Sequence, residues 1–83
     1  GVEGMEADHK EKVDFLKDQL REIKEQDQIL AEIEERLLEM RSIAEYASDS
    51  QLSKDERIDL NQKMKELLSE IAMLKGKMQR VVH

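Results

Sequence analysis

The sequence predicts an all-α protein: a long antiparallel hairpin of two helices with coiled-coil-like spacing, the first helix longer than the second. Three observations carry that expectation. Leu60, Met64, Leu67, Ile71, Leu74, Met78 and Val81 follow one another at alternating steps of four and three, close to one helical turn, so their side chains share one seam. Upstream, Leu16, Ile23, Leu30, Leu37 and Ala44 recur at every seventh residue. Between the two patterns, Tyr46 to Ser53 gathers Ser and Asp, whose side chains bond nearby backbone and mark loops. A chain of 83 residues is expected to form one domain, with a helix over about 5–47, a loop at 48–53 and a helix over about 54–81.

Composition agrees. The chain is 41% charged and 2% aromatic, with no Pro, Cys or Trp, which leaves little material for a thick core and permits helices of unusual length. A net charge of −6 disfavours nucleic acid and anionic membrane surfaces, both of which are held by Lys and Arg. No apolar run approaches the ~20 residues of a bilayer span, and no early apolar stretch resembles a signal peptide. Without Cys there is neither disulfide nor thiolate chemistry.

Gly1 to Gly4 is expected to fray. From Met5 to Ala47 there is neither Gly nor Pro. Val13 and Leu20 flank the seven-residue row on one side, and Ile33, Met40 and Ala47 flank it on the other. The stripe changes side across Lys24 to Gln28, where nothing forces a stop, so one continuous helix is expected. Ser53-Lys54-Asp55-Glu56 matches a capping box: the Ser53 hydroxyl accepts from the Glu56 N–H, and the Glu56 carboxylate reaches back to the Ser53 N–H. Leu52 is placed to staple onto Arg57 or Ile58. Gly76 weakens the second helix by roughly 1 kcal/mol relative to Ala, but Met78 and Val81 keep the rhythm beyond it.

The short connection makes the helices antiparallel. The expected hairpin core is Ile23, Leu30, Ile33, Leu37, Met40 and Ala44 against Leu60, Met64, Leu67, Ile71, Leu74 and Met78. Leu37 then falls near Met64, Leu30 near Ile71, and Ala44 and Ala47 opposite Ile58 and Leu60. Glu22 and Glu25 meet Lys75, Lys77 and Arg80. At 1.5 Å per residue the helices are ~64 Å and ~42 Å long, so about 15 residues of the first overhang. Val13, Phe15, Leu16 and Leu20 on that overhang, with Ile29, Ile58 and Leu68, are the expected partner-binding residues. The partner is a protein, through self-association into a bundle or a foreign helix, with no nucleic acid, membrane or small-molecule substrate.

No catalytic, metal or cofactor site is expected. Glu6 and His9 have the Glu-x-x-His spacing of one limb of a di-iron bundle site, but the second limb is missing and the pair reads as solvated. His83 reads as an exposed terminus. Glu32, Glu35 and Glu39 share a helical face, as do Glu34 and Arg41; with Glu32 and Arg36 as an ordinary surface pair, the face reads as solvated. Asp49 to Asp55 lacks the Gly and ligand spacing of a calcium loop. Met40, Met64, Met73 and Met78 could form an adaptable groove, but most of them sit on the seams, so core packing is the reading.

Leu37-Leu-Glu-Met-Arg-Ser-Ile-Ala-Glu-Tyr-Ala47 resembles the bacterial flagellin segment L-Q-R-x-R-E-L-A-V-Q-A, with Leu37, Arg41, Ala44 and Ala47 matching in place. Lys54-Asp-Glu-Arg-Ile-Asp-Leu60 is similar to the family's D-E-D-R-x-x-L, Leu67-Leu-Ser-Glu-Ile71 to its L-x-x-E-I, and Ala31 to Leu37 to its A-L-N-E-I-x-x-x-L. The resemblance covers roughly Ala31 to Leu74. It implies the N-terminal helical hairpin of the flagellin core, a structural, secreted, filament-building role without enzymatic activity. Two departures stand out. The family's F-N-G after the hairpin is replaced by Lys75-Gly-Lys-Met-Gln79, and the receptor-contacting Arg two places before Arg41 is Glu39, so receptor activation is not carried over. The alternative is a small cytoplasmic coiled-coil adaptor, export chaperone or regulator domain.

Overall fold

The computed structural model describes residues 2–81, with side chains from residue 4 onward; the expectations for Gly1 and His83 lie outside the described residues. Two helices make up the architecture, α1 (Val2–Asp49) and α2 (Lys54–Val81), folded antiparallel: Arg36 meets Glu70 at 3.2 Å and Glu39 meets Lys63 at 3.4 Å. The molecule measures 77 × 19 × 12 Å, and its radius of gyration is 21.8 Å, against about 12 Å for a compact domain of this length.

Helix α1 runs without a break through Lys24 to Gln28, and α2 continues through Gly76 to Val81. The ends differ from expectation. α1 starts at Val2 and ends at Asp49, so only residues 50–53 connect the helices. Ser48 and Asp49 disfavour helix by a few tenths of a kcal/mol each, too little to stop it. α1 ends without a left-handed residue. At the start of α2, the Glu56 N–H donates to Ser53 Oγ at 3.1 Å, and the Arg57 N–H closes the first helical turn on the Ser53 carbonyl at 3.1 Å. The return half of the box is different: the Ser53 hydroxyl, not its N–H, donates to the Glu56 carboxylate at 3.2 Å. Asp55 and Glu56 in the first turn and Arg80 in the last complement the helix dipole. Leu52 is half-buried and shares a recess with Ala47 and Arg57, whereas Ile58 stays exposed.

The α2 seam is as expected. Leu67, Ile71 and Leu74 are buried, and Leu60, Met64, Met78 and Val81 are half-buried. On α1 the seam is rotated by one residue. Ile29 is buried, and Gln26, Ile33, Arg36, Met40 and Ile43 are half-buried. Ile23, Leu30, Leu37 and Ala44, expected in the core, are exposed, and Ile29, expected to meet a partner, packs inside the hairpin. The facing row therefore runs 26, 29, 33, 36, 40, 43, again in steps of three and four. This rotation puts Ile43 rather than Ala44 toward α2 near the turn, burying a larger side chain, and carries Arg36 to the seam. The Arg36 guanidinium donates across to Glu70 and back to the Glu32 carbonyl at 3.0 Å, in place of the expected surface pair with the Glu32 carboxylate. Its side chain is 28% exposed, at the margin of the seam.

Candidate protein-docking surface

Packing α1 on α2 leaves a large apolar strip open. Leu16 is 63% exposed and Leu37 is 52% exposed, and Leu20, Ile23 and Leu30 lie in the same range. Leu16, Ile23, Leu30 and Leu37 are one seven-residue row, about 80° around the helix from the row that faces α2. A row of that period, apolar and left in water, is a continuous apolar strip that α2 does not cover. Leu68 of α2 is also exposed. The register set by Arg36–Glu70 and Glu39–Lys63 brings Leu37 and Leu68 level with each other, so the strip widens into an apolar edge along one side of the hairpin.

The other edge is charged. Glu35, Arg36, Glu39, Lys63, Glu66 and Glu70 line a polar cleft there beside buried Leu67. Farther along, Glu25 and Glu32 share a recess with Lys77 and Arg80; among the described residues the interhelical ion pairs are Arg36–Glu70 and Glu39–Lys63, not the expected pairs of Glu22 and Glu25. The hairpin thus has one face that water solvates well and one that it does not.

Val81 lies beside Glu25 and Ile29, so α1 from Val2 to Lys24 projects beyond the described end of α2, roughly 23 residues or ~34 Å. That is longer than expected, in part because α1 gains three residues at its start and two at its end. On this overhang Phe15, Leu16 and Leu20 are exposed and Val13 is half-buried. Phe15 and Leu16 line a shallow recess with Asp8, Glu11 and Lys12. Of the remaining expected partner-binding residues, Ile58 and Leu68 are exposed. Ile23, Leu30 and Leu37 belong to the same open surface. Their unbroken seven-residue spacing from Leu16 is the sequence signal for this surface, and the same spacing suits a hairpin seam equally well.

Glu6 and His9 are both exposed, and among the described residues no group of three or more His, Cys, Asp or Glu side chains is placed to hold a metal ion. No described helix is long and apolar enough to cross a membrane. Compared with protein-family models, with curated proteins and with solved structures, the chain matches none.

Proposed function

We propose that this chain is a non-enzymatic structural element, a flagellin-like helical hairpin that works by packing against other helices in a filament or homo-oligomer. The observation that carries the reading is the open seven-residue row Leu16–Ile23–Leu30–Leu37, which one hairpin cannot cover. Supporting it, the four side chains buried among the described residues, Ile29, Leu67, Ile71 and Leu74, are a thin core, and helices gain most of their stability from tertiary packing. The flagellin-like spacing of Leu37, Arg41, Ala44 and Ala47 adds the filament context. Size-exclusion chromatography with light scattering tests it: the native chain associates as its concentration rises, and Leu16→Glu, in the open row, weakens that association by tenfold or more. A strict monomer at high concentration overturns the reading.

A second reading, a coiled-coil adaptor, export chaperone or regulator domain, is favoured by Phe15 and Leu16, which stand exposed on the overhang within reach of a foreign helix. A chain that stays monomeric alone yet binds a single amphipathic helix of another protein supports this reading over the first.

A further inference from the structure

The geometry points to a second copy of this chain as the occupant of the open strip, in a two-fold antiparallel exchange: the α1 overhang of each copy lies along the apolar edge of the other's hairpin. The inference rests on the assembly reading above and specifies its contact.

Area comes first. The chain exposes 7131 Å², whereas a compact monomer of 9.7 kDa exposes about 5100 Å². The excess is about 2000 Å². A standard interface removes ~800 Å² from each partner, so the chain has surface enough for two such contacts, one given and one received. Length agrees: the overhang is ~34 Å long, and the stretch of α1 paired with α2, residues 25–49, is ~37 Å.

Three symmetric pairings of the strip are available, and charge and coverage separate them. Overhang on overhang matches Val13 to Ile23 and Leu16 to Leu20. It also sets Lys10, Lys17 and Lys24, which form one seven-residue row beside the strip, against the same lysines of the other copy, since in antiparallel pairs equivalent flanks face each other. No ion pair engages these three lysines among the described residues, so no bound carboxylate offsets that repulsion. Hairpin edge on hairpin edge covers Leu30, Leu37 and Leu68 but leaves Leu16 and Leu20 in water. Overhang on hairpin edge covers both stretches at once. The flank then facing the lysines continues their own row as Ala31, Leu38 and Glu45, with Asp27 and Glu34 beside it. The lysine stems lie over Leu38, and their heads find carboxylates instead of ammonium groups. A two-fold operator closes this contact at two copies.

Absence of native Cys makes single-cysteine cross-linking clean. Leu20→Cys and Leu37→Cys each replace an exposed residue, so neither threatens the hairpin. Co-refolded and treated with a short bis-maleimide, a mixture of the two is expected to give a covalent dimer with one of each. Each variant alone is expected to give less than about a tenth of that yield, and light scattering is expected to show a dimer. Efficient coupling of Leu20→Cys to itself, or of Leu37→Cys to itself, overturns the exchange in favour of the first or second pairing. A dimer without the mixed product overturns it too. A mass that climbs past the dimer overturns the two-fold closure. A strict monomer overturns both the exchange and the assembly reading, which the other outcomes leave standing.

Discussion

Ile29 and Leu30 are neighbours in sequence and opposites in surroundings. Ile29 packs into the hairpin and Leu30 is about half exposed. Removing a buried aliphatic side chain forfeits its transfer free energy and leaves a cavity, typically 2–5 kcal/mol; a half-wet one loses much less. Ile29→Ala should therefore destabilise the hairpin by about 2–3 kcal/mol and Leu30→Ala by under ~1 kcal/mol, read by chemical denaturation at a concentration too low for association. The reverse order would put α2 back on the Leu30 row. The α2 seam was legible because that helix carries a single apolar stripe. α1 carries two adjoining ones, and which of them α2 covers is decided by the pairing, not by α1 itself. Arg36 and Gln26 made the true facing row look like surface. A Cβ added at Gly76 meets no atom within 4 Å, and Gly in a helix interior is worse than Ala by about 1 kcal/mol. Gly76→Ala is expected to raise stability by roughly 0.5–1 kcal/mol, checked as a higher denaturation midpoint with unchanged slope.

Among the elements, α2 owes its start to four residues whose role was readable from Ser53-x-x-Glu56. The hydroxyl of Ser53 satisfies the Glu56 N–H, one of the donors a helix N-terminus leaves unpaired. Ser53→Ala should cost about 1 kcal/mol, and Ser53→Asp should recover most of it because a carboxylate also accepts there and suits the dipole; equal stability of all three chains would mean the cap contributes nothing. The end of α1 was harder to read. Ser and Asp favour loops only weakly, so a run of them marks a region, not the residue at which the last turn opens. Charge pairing was legible as a tendency and not as partners. Glu and Lys residues crowd both helices, and long side chains reach several sites, so only the rotation of α1 selects Arg36 for Glu70 and Glu39 for Lys63. With side chains 28% and 50% exposed in the first pair and 50% and 47% in the second, these bridges contribute at most about 1 kcal/mol each and set register more than stability.

For the whole molecule, a long thin rod with four side chains buried among its described residues would gain further stability by covering its open strip, so folding and association should be linked. If the folded form is a dimer, a hundredfold rise in concentration adds RT ln 100, about 2.7 kcal/mol per dimer. At about 2.1 cal/mol/K per residue, unfolding two chains carries an entropy of roughly 0.35 kcal/mol/K, so the midpoint should rise by about 8 °C over that range. Leu20→Glu places a carboxylate in the middle of the strip and should flatten this dependence while leaving the low-concentration midpoint nearly unmoved, because Leu20 lies on the overhang, outside the hairpin core. Thermal melts followed by circular dichroism across two decades of concentration separate the cases. A native midpoint that ignores concentration would mean that the hairpin is stable alone and that its apolar edge has no part in folding.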